Sequence, residues 1–143
     1  MKCRIVFALV LGSALLLPSG PAQLSAQVCK DEEGMVADYR KTVTDLVETV
    51  RKESLLDFEK AYHQKNVMTK LMLFGNTVNG LISCLQKTAN DPTALKEDAD
   101  AAKGKIDVYN KLKDKIKQDR DALKAAQTDK EAKALIEKLV YTK

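Results

Sequence analysis

The chain has 143 residues, of which 45% are hydrophobic, 31% charged and only 5% aromatic, with six Gly, three Pro and no Trp. This length favours one domain, and the low Gly, Pro and aromatic content argues against a β-sandwich, a β-barrel and a disordered chain. One His and three Cys provide few ligands for a metal or redox enzyme. The composition predicts an all-α protein with an extensive charged surface.

The first 26 residues have the layout of a secretory signal peptide. A short basic segment precedes the apolar run 5–17, and small residues lead up to the expected cleavage site after Ala26. The run is too short to span a bilayer comfortably. Cleavage after Ala22 and an uncleaved membrane anchor are the alternatives. We therefore predict a mature single helical domain, residues 27–143, that is exported to the periplasm or the extracellular space.

Loss of the leader also changes the charge of the protein. The leader contains Lys2 and Arg4 but no acidic residue, so the net charge falls from +4 to +2. Nucleic-acid binding requires a basic face or stripe, and a nearly balanced chain predicts none. No later apolar stretch reaches about 18 residues, so no transmembrane segment is expected in the mature chain.

Two cysteines, Cys29 and Cys84, remain after Cys3 leaves with the signal peptide. An even pair in an exported protein predicts a disulfide, with two reduced thiols or an intermolecular bridge as alternatives. The bridged Cα atoms must lie within about 7 Å of each other. A straight helix between them would hold its ends about 80 Å apart. The chain must therefore reverse near residue 57, which predicts an antiparallel helical hairpin closed by the disulfide.

The first helix is predicted over about 32–52 from apolar residues spaced three and four apart: Val36, Tyr39, Val43, Leu46 and Val50. The same register then reaches the charged residues Glu53 and Asp57. A capping-box pattern begins at Ser54 and favours the start of a second helix there. One long bent helix over 31–74 is the alternative, because no Gly or Pro forces a break.

The second helix is predicted over about 54–87. Gly75 and Gly80 interrupt it at a free-energy cost of about 1 kcal/mol each. An apolar stripe nevertheless continues through both glycines: Leu71, Phe74, Val78, Leu81 and Leu85. The sequence Asn90-Asp91-Pro92 then indicates a helix boundary, with Pro92 at the first position of the third helix.

The third helix is predicted over about 92–126, with a mostly apolar seam: Leu95, Ala99, Ala102, Ile106, Tyr109, Leu112, Ile116 and Leu123. Asp119 is a charged member of this seam. A capping box at Thr128–Glu131 predicts a short fourth helix over about 129–141. Its expected apolar face comprises Ala132, Leu135, Ile136, Leu139 and Val140. The whole pattern predicts a bundle or coiled-coil-like fold.

Candidate catalytic and metal-binding residues are few. His63 follows Glu59 by four residues, which suggests two ligands of a metal site or an acid/base pair. A catalytic zinc site requires three protein ligands, and a di-iron bundle requires two Glu-x-x-His motifs. The chain contains neither set, so we assign no catalytic, metal or cofactor-binding residue and expect no cofactor. The methionines of the mature chain, Met35, Met68 and Met72, are interpreted as core residues. The lysine-rich surface of the third helix is interpreted as a solvated face.

These observations favour an exported, non-enzymatic helical protein that acts by binding a protein partner or client, in an adaptor or chaperone-like role. In outline the chain is similar to the small exported coiled-coil chaperones and adaptors, which are helical, charged and poor in catalytic residues. The alternative is a carrier that holds a lipid or small hydrophobic ligand between its helices. A secreted effector is a third possibility. Short helices and an internal disulfide favour a monomer.

Overall fold

The computed structural model describes residues 29–141 and contains four helices in that range. They are α1 (Lys30–Lys52), α2 (Lys60–Ala89), α3 (Lys96–Ala125) and α4 (Asp129–Glu137). The described residues form no strand. The predicted architecture, a disulfide-closed antiparallel hairpin with a long third and a short fourth helix, is confirmed. The expected signal peptide lies outside the described residues.

The disulfide between Cys29 and Cys84 joins the start of α1 to the last third of α2, with the two Cα atoms 6.0 Å apart. In this register Tyr39 lies beside Phe74, and their ring centroids are 6.5 Å apart. The chain reverses through the non-helical connection 53–59, which rules out a single long helix over this region. The predicted hairpin and its reversal point are therefore confirmed.

The second helix begins at Lys60, six residues later than expected. The Ser54 hydroxyl accepts the Asp57 N–H at 3.2 Å and donates to the Asp57 carboxylate, but these bonds close a turn rather than start a helix. Phe58 turns into the core and stacks on His63 at 4.9 Å between ring centroids. Glu59 has extended backbone, with φ −93° and ψ 98°, and helical geometry resumes only after it.

The third helix begins at Lys96, four residues after Pro92. The Asp91 carboxylate accepts both the backbone N–H and the hydroxyl of Thr93, at 2.8 and 2.6 Å. This local turn holds the segment between α2 and α3 out of the helix, so Pro92 marks the connection. Upstream, α2 runs unbroken through both glycines, as predicted. A β-carbon at Gly75 would lie 3.6 Å from Ile116, which is an ordinary contact between α2 and α3.

The core surrounds α2, because α1 and α3 pack against it and α4 contacts all three long helices. Side chains from every helix are fully buried: Phe74, Leu71, Leu81, Leu123, Ile136, Val36, Val43, Val47, Val50, Val67 and Val78. The predicted apolar faces supply most of them. Leu95 and Val140 are exceptions, since each is more than half exposed.

The fourth helix begins as predicted and ends earlier than predicted. The Thr128 side chain accepts the Glu131 N–H at 3.1 Å, and the Glu131 carboxylate accepts the Thr128 N–H at 3.2 Å, so the capping box is confirmed. The helix stops at Glu137, and the non-helical residues that follow carry Tyr141 into the core. Its ring meets Phe74 edge-on at 5.4 Å between centroids.

Candidate functional site

The only histidine is part of a buried cluster at the hairpin connection. Nε2 of His63 lies 2.8 Å from a carboxylate oxygen of Glu53, the residue that ends α1. Glu59, the partner suggested by helical spacing, contributes its carbonyl oxygen, which accepts the His63 N–H at 3.0 Å. His63 therefore ties the end of α1 to the start of α2. Among residues 29–141, no three His, Cys, Asp or Glu side chains are grouped so that they could hold a metal ion.

The methionines occupy positions that differ from the prediction. Met72 is 45% exposed and Met35 is 48% exposed, so their assignment to the core is wrong. Met68 is partly buried against the edge of the core. Met68 and Met72 are one helical turn apart on α2, beside the stripe that contains Leu71. The apolar surface of α2 is wider than the stripe that is buried in the core. Met68 and Met72 belong to the apolar surface outside that stripe.

Met68 and Met72 lie in an open groove of about 660 Å³ between α2 and α3, which we call the methionine trough. Cationic side chains of Lys65, Arg120 and Lys124 lie along its rim. A second cavity of about 260 Å³ shares Met72 and Arg120 with it and continues along α2 as far as Asn79. From Ala61 to Asn79 the two cavities follow about 27 Å of helix.

The rim of the trough has an excess of positive charge. Asp121 is its one acidic lining residue, and it lies 3.7 Å from Arg120 and 3.9 Å from Lys117. These contacts offset the negative charge of Asp121. The side-chain amide of Gln64 donates to the carbonyl of Leu123 at 2.6 Å and fixes α2 against α3 at one end of the trough. The solvated lysine face predicted for α3 thus includes one wall of an apolar groove.

A separate groove lies between α1 and α3; we call it the α1–α3 cleft, and its volume is about 520 Å³. Its apolar walls are formed by Val36, Ala37, Val108 and Leu112, and its polar side chains include Arg40 and Tyr109. Lys105 of α3 and Glu33 of α1 form an ion pair at 2.6 Å at the edge of this cleft. Nearer the connection 53–59, α4 packs against both α1 and α3. The cleft is the stretch of that gap which α4 does not reach.

The polar groups of the α1–α3 cleft are partly desolvated. Burial raises the pKa of Tyr109, and the Glu33 carboxylate adds to the rise, while Lys105 and Arg40 oppose it. The Tyr109 phenol therefore keeps its proton at neutral pH and is available as a hydrogen-bond donor. The sequence pattern did not predict this cleft. Its lining residues come from α1 and α3, and the distance between these helices depends on how far α4 extends between them.

Comparison with known proteins provides no relative for this chain. No protein-family model, no curated protein and no solved structure matches it. Within residues 29–141, no helix combines the length and the apolar character needed to cross a bilayer.

Proposed function

We propose that the protein is a non-enzymatic adaptor or chaperone that binds a partner protein in the methionine trough. The observation that carries this proposal is the half-exposed Met72 beside the partly buried Met68, between cationic side chains of α2 and α3. Methionine side chains are flexible and polarizable, and they are common on surfaces that accept varied apolar partners. An amphipathic helix of about five turns fits the combined length of the trough and the cavity that continues from it along α2. Acidic residues flanking its apolar face would complement the rim.

The use of the one histidine supports a binding role rather than catalysis. His63 is buried between the Glu53 carboxylate and the Phe58 ring, where it joins two helices. An active site would need a nucleophile, a base and an orienting group within reach of a substrate. The grooves of the described residues are lined mainly by apolar and cationic side chains, which suit recognition.

We also propose that the protein is exported, with residues 1–26 as a cleaved signal peptide and the periplasm or extracellular space as its destination. The Cys29–Cys84 disulfide supports this, because such bonds persist in oxidising compartments. When the protein is produced with its own leader, exported material should begin at Gln27 or at Gln23. N-terminal sequencing that finds Met1 on that material would contradict the proposal.

A carrier function would need ligand space between α1, α2 and α3. Side chains of α2 such as Leu71 and Phe74 are fully buried, and α4 fills the gap near the hairpin connection. The space between α1 and α3 is the open cleft, which is large enough for one small ligand. Bulk storage of lipid inside the bundle is therefore a weaker candidate than protein binding at the trough.

Site-specific photo-crosslinking in the native compartment tests the trough. A photoreactive amino acid replaces Met72 in one variant and Met35 in the other, since both methionines are about half exposed on helices. We expect position 72 to capture a protein whose cross-linked segment is an acidic amphipathic helix, and position 35 to capture none. Charge reversal at the rim, by Arg120→Glu with Lys124→Glu, should abolish the adduct. Equal capture at both positions, or an adduct unaffected by charge reversal, would contradict the proposal.

A further inference from the structure

Arg40 in the α1–α3 cleft has an unmet requirement for a polar partner. Within residues 29–141, two buried side-chain polar atoms have no hydrogen-bond partner: Nε of Arg40 and one carboxylate oxygen of Glu53. The Glu53 oxygen lies 2.8 Å from Nε2 of His63, so it has a polar neighbour. A buried group left unpaired lowers stability, and the loss is larger for a charged group. The unpaired Nε of the partly buried Arg40 therefore points to a place for an anion beside this guanidinium.

The surroundings of Arg40 combine a hydrogen-bond donor with an apolar channel. Tyr109 lines the same cleft and keeps its phenolic proton, so it can donate to an anion beside the guanidinium. Val36, Val108 and Leu112 provide apolar surface along the cleft. The exposed Gly34 also lines the cleft, and a β-carbon there would have no neighbour within 4 Å, so the space beside it is open.

We propose that the α1–α3 cleft binds a long-chain carboxylate, with its head group on Arg40 and Tyr109 and its alkyl chain along Val36, Val108 and Leu112. A guanidinium binds a carboxylate through two parallel hydrogen bonds. Lys105 and Glu33 neutralise each other, so the excess charge of the cleft is the single positive charge of Arg40. That charge matches a monoanion better than a phosphate dianion.

The volume of the cleft also points to a single alkyl chain. About 520 Å³ lies within the range of sites for one small ligand and is too small for a second helix. The cleft shares no lining residue with the methionine trough. This inference therefore goes beyond the proposed function and can fail independently of it.

Calorimetric titration of the delipidated, disulfide-bonded protein with palmitate tests the proposal. We expect one molecule to bind per chain, and Arg40→Gln to weaken binding about tenfold or more, as expected for a charge-assisted hydrogen bond. Lys41→Gln is the matched control, because Lys41 is the neighbouring exposed cation on α1 and does not line the cleft. It should leave the affinity unchanged, as should Arg120→Glu with Lys124→Glu in the trough.

Two further measurements separate ligand recognition from a structural role of Arg40. Arg40→Gln removes a partly buried charge whose Nε has no partner, so the melting temperature of the ligand-free variant should be unchanged or higher. Palmitate should raise the melting temperature of the native protein but not that of Arg40→Gln. Cetyl alcohol, which has the same chain without the charge, should bind about tenfold or more weakly. The proposal is overturned if palmitate does not bind or if Arg40→Gln binds it with equal affinity. It is also overturned if ligand-free Arg40→Gln melts at a lower temperature than the native protein. Binding of cetyl alcohol or cetyl phosphate as tight as that of palmitate would likewise overturn it.

Discussion

Two carboxylates lie at the inner surface of the bundle, and each is matched by a polar group from another part of the chain. The Glu53 carboxylate lies 2.8 Å from Nε2 of His63 across the hairpin connection. Asp119 of α3 accepts the Tyr141 hydroxyl at 2.6 Å and the Lys115 ammonium at 2.7 Å. Partly buried carboxylates are tolerated when such partners are present, and the Glu53–His63 and Asp119–Tyr141 contacts each join two segments of the chain.

Glu53→Ala should lower the free energy of unfolding by about 1–3 kcal/mol, because it leaves the buried His63 without its partner. Glu59→Ala is the matched control, since Glu59 is exposed and precedes His63 by one helical turn. Its effect should stay within about 0.5 kcal/mol. Urea denaturation of both variants gives the comparison. If both variants lost the same free energy of unfolding, the specific role of the Glu53–His63 contact would be contradicted.

Tyr141→Phe should lower the free energy of unfolding by about 1–2 kcal/mol near neutral pH, because it removes the hydroxyl that Asp119 accepts. Burial raises the pKa of Tyr141, and the hydrogen bond to Asp119 and its negative charge raise it further. The folded protein therefore holds this proton more tightly than the unfolded chain. The contribution of the Tyr141 hydroxyl to the free energy of unfolding is complete below about pH 10, the ordinary pKa of tyrosine. It declines as the pH rises above that value.

Denaturation of the native protein and Tyr141→Phe across the alkaline range measures this difference. The stability gap between them should narrow above about pH 10. Tyr62→Phe is the control, since Tyr62 is mostly exposed and its edge-on contact with His63 survives the change. A gap that is constant with pH would show that the Tyr141 hydroxyl does not titrate differently in the folded state.

The short fourth helix depends on its cap and its neighbours. With nine residues, α4 is below the length of about 12–15 at which isolated helices become marginally stable in water. Side chains fasten it to the end of α1, where Lys133 donates to the Val50 carbonyl and Arg51 donates to the Glu137 carbonyl, both at 2.8 Å. Its stability is therefore a property of the assembled bundle.

Thr128→Ala should destabilise the protein by about 1 kcal/mol, because it removes one half of the capping box. Thr49→Ala is the matched control, since the Thr49 hydroxyl is exposed and bonds to the Asp45 carbonyl within its own helix. Hydrogen exchange should show faster opening of α4 in the first variant and no change in α4 in the second. Equal protection of α4 in both variants would contradict the role of the cap.

Helix faces could be predicted from the sequence more reliably than helix ends. Apolar spacing identified the buried stripe of α2, and the Thr128 capping box located the start of α4. The observed starts of α2 and α3 differ from the predicted ones. The hydrogen bonds of Ser54 and Asp91 close turns, and a local sequence pattern does not reveal how far each turn extends. After the early end of α4, Tyr141 donates to Asp119, a contact between positions 22 apart that local patterns do not reveal.

The two grooves could be predicted only in part. The Met68–Met72 spacing is visible in the sequence, but their exposure depends on how closely α3 packs against α2. The α1–α3 cleft exists because α4 ends before it fills the gap between its neighbours, and no local pattern encodes that distance. That Nε of Arg40 has no partner becomes evident only once every possible partner has been placed.

For the molecule as a whole, the disulfide is the strongest single restraint on the unfolded chain. It joins cysteines 55 positions apart, and a loop of that size stabilises the fold by about 4 kcal/mol in the chain-entropy model. Replacing both Cys29 and Cys84 with Ser should lower the denaturation midpoint clearly while helicity is retained in the cold. Circular dichroism during urea titration measures both. A midpoint equal to that of the native protein would contradict the prediction.

The position of Tyr141 determines when the core can be completed during biosynthesis. Phe74 is covered in part by Tyr141, which is made about 50 residues after α2 ends, and ribosomes add about 5–20 residues per second. The hairpin of α1 and α2 can therefore form several seconds before the side chain that seals it emerges. Throughout that interval Phe74 lacks the aromatic ring that covers it in the folded protein. The packing around Phe74 is thus completed only after the chain has been synthesised as far as Tyr141.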